Sequence, residues 1–165
     1  MSDSLEIRAA REEDAEFIFA MVVELAEYEK APEMVHGTAE MLREALFGAH
    51  PYAEAIIAEW DGERVGSAVF HYTFSTWECR PGIWLEDLYV RPAHRRHGIG
   101  EQMLRHLAKI AVDRGCNRYG WVALDWNTPA LEFYEKLGAS TLDEWKLHRL
   151  SDEALTSFAA GARTQ

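Results

Sequence analysis

The stretch "RPAHRRHGIGEQML", residues 91–104, gathers three arginines and two histidines around two glycines, ahead of an amphipathic run. A glycine-broken turn before a helix can direct several backbone N–H groups at one point, where the helix start adds partial positive charge. Gly98 and Gly100 let the backbone approach a ligand because no Cβ intervenes. Arg95 and Arg96 supply charge for phosphate oxygens. The stretch therefore predicts a pyrophosphate site, or alternatively a tight turn with a solvated charge run.

Two familiar phosphate motifs do not fit this turn. A Walker loop is excluded because no Gly-Lys-Ser/Thr follows, and Met103 stands where the third glycine of G-x-G-x-x-G would be.

Working outward, the apolar pattern predicts a single α/β domain over residues 1–165 with a mixed sheet. Strands are expected at 5–10, on both sides of an Asp61-Gly62 turn, and at 83–90, 118–124 and 145–150. Helices are expected within 11–30, at 39–47 with Thr38 as cap, at 99–114 before Gly115, and at 128–138 with Thr128 as cap and Gly138 as stop. A short helix is expected from Asp152.

The composition limits the classes of partner. The 28 acidic and 17 basic side chains give a formal net charge of −11. This balance argues against nucleic acid or anionic membrane and suits a cationic substrate, although solubility alone also explains acidic surfaces. Nucleic-acid binding through the basic cluster at 91–97 is therefore a weak alternative.

Cysteine usage and the segment types predict a cytoplasmic protein. Cys79 and Cys116 match no metal or redox spacing, and "MSDSLEIRAA" lacks the basic and apolar regions of a signal peptide. No apolar run approaches the roughly 20 residues that a membrane span needs. His94 and His97 lack further ligands at zinc spacing, so no metal is expected.

The pattern Arg95-x-x-Gly98-x-Gly100, after "LEDLYV", resembles the acetyl-CoA motif of the GNAT N-acetyltransferase superfamily. "WNTPALEFYEKLGA", with its asparagine, proline-capped helix, tyrosine and Gly-Ala stop, is also similar. "ELAEYE", "FGAHPY", "YTFSTW" and "EWKLHRL" look closest to the diamine acetyltransferase branch, which includes spermidine/spermine and thialysine enzymes. The chain departs from that branch at Arg96, where many members carry glycine.

The resemblance implies a fold in which the parallel strands at 83–90 and 119–124 splay apart and acetyl-CoA lies in the gap. It also implies a homodimer, through the segment "EWKLHRL". The implied cofactor contacts come from the strand end, the glycine turn and the downstream helix: Leu88, Tyr89, Val90, Arg95, Arg96, His97, Gly98, Ile99, Gly100, Glu101, Asn127, Ala130 and Tyr134.

Acetyl transfer to a protonated amine needs a proton acceptor and a donor for the departing thiolate. Glu86 matches the base of the branch, and a carboxylate buried among bulky apolar neighbours binds protons more tightly than one in water. The alternative is that Glu86 only holds the ammonium. Tyr134 matches the tyrosine directed at the thioester sulfur, although it could also be a core aromatic or merely position the sulfur.

A small di- or polyamine is the expected substrate, with contacts from acidic and aromatic side chains. These candidates are Tyr28, Glu29, Trp84, Glu86, Asp87, Asp125, Trp126 and Glu144. An acyl-CoA-binding sensor without turnover is the alternative of a different class.

Overall fold

A computed structural model describes residues 4–163, which divide into two compact units at the peptide bond between Val122 and Ala123. The first unit carries a five-stranded sheet. Its strands, in both chain and spatial order, are β1 (Leu5–Ala9), β2 (Glu54–Trp60), β3 (Glu63–Ser75), β4 (Arg80–Val90) and β5 (Tyr119–Gly120). The pairs from β1 to β4 are antiparallel, and β5 is parallel to β4, so the expected mixed sheet is confirmed.

Three helices of the first unit are α1 (Ala15–Tyr28), α2 (Ala39–Phe47) and α3 (Ile99–Asp113). Ile18 of α1 and Leu46 of α2 share a buried cluster with Ile57 and Val69 of the sheet. α3 buries its own stripe at Ile99, Met103, Leu104, Leu107 and Ala111, as its amphipathic pattern requires.

The helix cap, the hairpin turn and the helix stop predicted from short sequence motifs are confirmed. Thr38 caps α2, because its Oγ1 accepts a hydrogen bond from the Met41 amide at 3.2 Å. Asp61 and Gly62 adopt φ values of +50° and +83° between β2 and β3, which fits the twist of a tight hairpin. Gly115 follows α3 with φ +73°, the left-handed conformation that ends many helices.

A buried carboxylate fixes the start of α1 against the sheet. Asp14 is 1% exposed and accepts hydrogen bonds from Arg8 at 2.7 Å and Arg64 at 3.1 Å. Burial opposes its ionisation, but these guanidinium groups and the Arg11 amide outweigh burial and lower the pKa of Asp14. These hydrogen bonds therefore fix the N-terminal end of α1 against the sheet.

The parallel pair at the edge of the sheet is very short. β4 and β5 are in register only at Ile83 with Tyr119 and Trp84 with Gly120. The strand expected to reach residue 124 ends at Gly120. Within residues 4–163, the part of β4 after Trp84 has no partner strand on that edge, which agrees with the expected splayed strands.

β4 also contains a bulge that the sequence did not reveal. Asp87 is opposite Val69 and Leu85 is opposite Phe70, so Glu86 is an extra residue without a register partner on β3. A regular strand would place Glu86 and Asp87 on opposite faces, and the bulge interrupts that alternation. Val69 packs with Ile18 of α1, so its partner Asp87 faces the α1 side.

The second unit contains α4 (Thr128–Lys136) and α5 (Asp152–Ala159). α4 begins at Thr128 itself, after Asn127, so the expected Thr128 cap is wrong by one residue. Gly138 has φ +89°, as a helix stop should. The strand expected at 145–150 is wrong: the described part of this unit contains no strand, and a strand needs a neighbour to pair its backbone groups. The homodimer expected through this segment stays a prediction.

Candidate active site

The glycine turn presents unpaired backbone donors at the start of α3. Gly98 precedes the helix with φ +74°, and its carbonyl accepts the first helical hydrogen bond, from Gln102 at 3.0 Å. The amides of Ile99, Gly100 and Glu101 consequently have no acceptor within the helix. Gly98 has no side chain that could cap them. Three N–H groups and the positive end of α3 therefore converge where an anion can bind.

Arg95 packs against the strand before the turn. Its Nε donates a hydrogen bond to the Val90 carbonyl at 2.9 Å. Its guanidinium lies 5.4 Å from the ring centre of Tyr28 and 5.0 Å from that of Tyr89. Arg95 thus links the end of α1 to the end of β4, in addition to bringing charge to the turn.

Arg96 and His97 complete the turn. Arg96 has φ +68°, a left-handed conformation that is unfavourable for a residue with a side chain. The conformation explains why glycine suits this position. His97 packs its ring against Trp60, with ring centres 5.1 Å apart.

The open edge of β4 exposes backbone groups near the turn. The Arg91 amide donates to the Val65 carbonyl at 2.9 Å, so Arg91 is a hydrogen-bonded position of the β3–β4 ladder. Because such positions alternate in antiparallel pairs, Tyr89 directs its backbone groups toward β3. Leu88 and Val90 direct theirs to the other edge, where no described strand pairs with them. This edge can bind an extended chain that carries amide groups.

The bulge places two neighbouring carboxylates on the same face of the sheet. Asp87 faces the α1 side, and Glu86 contacts Trp84 and His71, the partners of one register pair on that same face. Burial, and then the charges of Glu86 and Glu29, raise the pKa of Asp87 to about 6. Glu29 follows α1; although the residue is exposed, partial desolvation of its carboxyl raises its pKa.

Glu86 does not have the burial expected of it. Its side chain is 57% exposed, so the premise for choosing it as the base is wrong, and Asp87 is the more desolvated acid. The Trp84 indole N–H donates to Glu86 Oε2 at 3.1 Å. His71 Nε2 lies 3.4 Å from the same oxygen. Sequence reasoning missed His71, because only the register that pairs it with Trp84 reveals the neighbourhood.

The remaining predicted site residues belong to the second unit. Asn127 precedes α4, and its carbonyl accepts hydrogen bonds from the Ala130 and Leu131 amides at 3.0 and 3.1 Å. Tyr134 lies within α4, and its ring centre is 5.7 Å from that of Phe133. Asp125 and Trp126 form the turn before α4, and Glu144 lies in a turn after it.

Along the described part of the chain, every helix is too short or too polar to cross a bilayer.

The parted parallel strands and the glycine turn at α3 define an α/β domain with an open strand edge beside an anion-binding helix start. The chain belongs to the acetyltransferase (GNAT) family, which it matches over residues 10–139. It is therefore an acetyltransferase enzyme, as the sequence resemblance implied.

Curated relatives match nearly the whole chain. The thialysine N-epsilon-acetyltransferase of Sus scrofa is 38% identical over 94% of this chain and 98% of that protein. The corresponding protein of Caenorhabditis elegans is 34% identical, with the same coverage. The spermidine/spermine N(1)-acetyltransferase-like protein 1 of Homo sapiens is 31% identical over 95% of this chain, which spans 24% of that longer protein.

Solved structures show the same fold. An integron cassette protein of V. cholerae superposes with a TM-score of 0.79 at 27% identity, covering 94% of this chain and 98% of that chain. An aminoglycoside N-acetyltransferase solved in complex with CoA has a TM-score of 0.71 at 17% identity, covering 91% of this chain and 97% of its own.

Proposed function

We propose that this enzyme transfers the acetyl group of acetyl-CoA to a primary amine of a small diamine, polyamine or lysine-like amine, by direct attack in a ternary complex. The N–C bond forms as the C–S bond breaks, the amine nitrogen loses one proton, and the departing sulfur gains one. The names of the relatives, thialysine and spermidine/spermine acetyltransferases, support an amine with a second cationic group.

The observation that carries the proposal is the acidic cluster formed by Glu29, Glu86 and Asp87. The first unit brings these carboxylates close enough for the charges of Glu29 and Glu86 to raise the pKa of Asp87. Glu86 and Asp87 lie on β4 after Trp84, where its edge is open, and Glu29 reaches them from the end of α1. One carboxylate can face the reacting nitrogen while another binds a distal ammonium, which a monoamine lacks. Asp125 and Glu144 remain proposed contributors.

The cosubstrate fits two features of the first unit. The free amides of Ile99, Gly100 and Glu101 suit a pyrophosphate, and a Cβ built at Gly98 would meet no atom within 4 Å, so space for a ligand is present. The outward backbone groups of Leu88 and the outward amide of Val90, whose carbonyl already accepts a hydrogen bond from Arg95, suit the amides of a pantetheine arm. We propose that Arg95, Arg96, His97 and Tyr89 complete this surface within the first unit, while Asn127 and Ala130 stay predicted cofactor contacts that rest on the family resemblance.

Asp87 is the proton acceptor that the geometry supports best. A primary amine has an ordinary pKa near 10.4 and is almost entirely protonated at neutral pH. A base with a pKa of about 6 is ionised at pH 7 and still accepts a proton better than an ordinary aspartate. We propose that Glu86, beside Asp87, binds the ammonium. Glu86 as the base is the alternative.

Tyr134 is the proposed donor to the departing sulfur. Replacing Tyr134 with Phe removes one hydroxyl and keeps the ring, so the turnover number should fall by about 10²–10⁴ while acetyl-CoA affinity changes little. Steady-state rates and calorimetric binding of CoA measure the two effects. A turnover number within a few-fold of wild type would remove Tyr134 from this role.

Release of free thiol from acetyl-CoA, measured across a panel of amines, tests the proposal. Spermidine, 1,3-diaminopropane and thialysine form one arm, and butylamine, which has one ammonium, is the matched control. We expect the diamines to have the higher kcat/KM. Equal values for butylamine would contradict the substrate class. Tight CoA binding without thiol release for any amine would favour an acyl-CoA sensor.

A further inference from the structure

Arg95 makes contacts that phosphate binding does not require. Its Nε donates a hydrogen bond to the Val90 carbonyl at 2.9 Å. Its guanidinium carbon lies 5.4 Å from the ring centre of Tyr28 and 5.0 Å from that of Tyr89. Tyr89 and Val90 end β4, whereas Tyr28 is the last residue of α1. One side chain therefore joins the end of α1 to the end of β4.

The end of α1 is closed by its own backbone, which fixes Glu29 relative to the last turn of the helix. The Lys30 amide donates to the Glu27 carbonyl at 3.1 Å. The Ala31 amide donates to the Ala26 carbonyl at 2.9 Å. Lys30 is left-handed, with φ +62°. These are the two hydrogen bonds and the conformation of a Schellman motif, and Glu29 is its capping residue.

Glu29 is the member of the acidic cluster that comes from α1. After burial, the charges of Glu86 and Glu29 raise the pKa of Asp87, so Glu29 lies within electrostatic reach of the acidic end of β4. Glu86 and Asp87 belong to the strand, and their positions depend on the sheet. The position of Glu29 depends instead on how the end of α1 is held against β4. Arg95 makes that connection through the residue next to Glu29.

We propose that Arg95 is a positioning residue for amine recognition, which holds Glu29 in the acidic cluster and so sets the preference for a second ammonium. Its Nε fixes the guanidinium to the end of β4, and the flat face of the same group holds the Tyr28 ring. A lysine ammonium carries the same charge but cannot present a flat face to the ring while it donates to the Val90 carbonyl. This inference rests on the proposed amine substrate.

Arg91 provides a matched control, because it joins α1 to the same strand end at a different point. Its Nε donates to Glu24 Oε1 at 3.3 Å, and its guanidinium carbon lies 5.2 Å from the ring centre of Phe17. Both partners precede the last turn of α1. Arg91→Lys therefore makes the same chemical change in a connection that does not end beside Glu29.

Amide hydrogen exchange in the full chain tests the connection without any substrate. The Lys30 and Ala31 amides report opening of the helix end. We expect Arg95→Lys to speed exchange at these two amides by about three- to tenfold, and Arg91→Lys by less than about twofold. Unchanged exchange in Arg95→Lys, or an equal increase in both variants, would overturn the proposal, because Arg95 would then not hold this end of α1 specifically.

The ratio of kcat/KM for 1,3-diaminopropane to that for butylamine tests the consequence. At saturating acetyl-CoA both amines meet the same complex, so the ratio is independent of any change in cofactor affinity. We expect Arg95→Lys and Glu29→Gln each to lower the ratio about three- to fivefold. Because Arg95 acts through Glu29, the two substitutions together should lower it no further. Arg91→Lys should keep the wild-type ratio.

A wild-type ratio in Arg95→Lys, or losses that add in the double variant, would overturn the proposal. If wild type acetylates no amine, the proposed function fails, and hydrogen exchange still decides whether Arg95 holds the end of α1.

Discussion

The glycine turn before α3 and the acidic end of β4 are two charged regions of the first unit that are built in opposite ways. The turn presents positive potential through the amides of Ile99, Gly100 and Glu101. The strand presents negative potential through the side chains of Glu86 and Asp87. Backbone amides do not titrate, whereas carboxylates do. Phosphate binding should therefore depend on backbone conformation, and amine turnover on pH.

The largest expected effect is at Asp87. Asp87→Asn removes the proposed base and should lower kcat/KM by about 10²–10⁴, whereas Glu86→Gln should cost less. In wild type, activity should rise with pH through about 6, the pKa of Asp87, because the base must be ionised. Rate measurements from pH 5 to 9 compare the variants. A greater loss in Glu86→Gln would return the base role to Glu86.

Asp87→Asn should also stabilise the folded protein. Folding raises the pKa of Asp87 from 3.8 to about 6, so the folded state binds the proton more tightly than the unfolded state. The stability that this group contributes is full below pH 3.8 and is lost as pH rises through about 6. Asp87→Asn should gain about 2–3 kcal/mol at pH 7 and much less near pH 4, as urea unfolding can show. Equal gains at both pH values would contradict the desolvated carboxylate.

Alanine substitutions at Gly98 and Gly100 form a matched pair that tests the glycine turn. Gly98 has φ +74°, so alanine there costs about 1–2 kcal/mol and should weaken CoA binding about tenfold. A Cβ at Gly100 would lie an ordinary 3.9 Å from Leu88 Cδ2, so Gly100→Ala should fold normally. Any affinity lost at Gly100 then reflects close approach of the phosphates. Wild-type affinity in both variants, by calorimetry, would refute this placement.

Raising the salt concentration should lower kcat/KM for a diamine more than for a monoamine. The net charge of −11 and the acidic cluster attract a diamine, and salt screens this attraction over a Debye length of about 8 Å at physiological strength. Raising salt should lower kcat/KM for spermidine about threefold or more and for butylamine less. Parallel salt dependence for both amines would mean that the acidic residues do not steer the substrate.

The smallest expected effect is at Arg96. Its φ of +68° is unfavourable for arginine, so Arg96→Gly should raise the free energy of unfolding by about 1 kcal/mol. The lost charge should weaken CoA binding a few-fold. Thermal unfolding and calorimetry measure both. Loss of stability would show that the arginine side chain makes contacts that outweigh the backbone cost.

The glycine turn could be predicted almost completely from sequence. The start of α3 and the splayed edge after Trp84 agree with expectation, and the structure adds that Gly98 is left-handed. The end of β5 could not be predicted from sequence. The segment "YGWVAL" is apolar enough for a longer strand, and only pairing with a neighbouring strand decides the length of β5. Similarly, residues 145–150 have strand-like composition but no described strand beside them in their unit.

The sequence by itself determined the features that depend on a few neighbouring residues: the glycine turn, the Asp61–Gly62 hairpin, the Thr38 cap and the family motifs. These follow from steric limits on φ and from hydrogen bonds within one turn. Only the tertiary structure decided the bulge at Glu86, the contact of His71 with it and the desolvation of Asp87. Those depend on the register between β3 and β4 and on the position of α1. Register is set by contacts between residues that are far apart in sequence. A shift of one strand by a single residue would move each of its side chains to the other face.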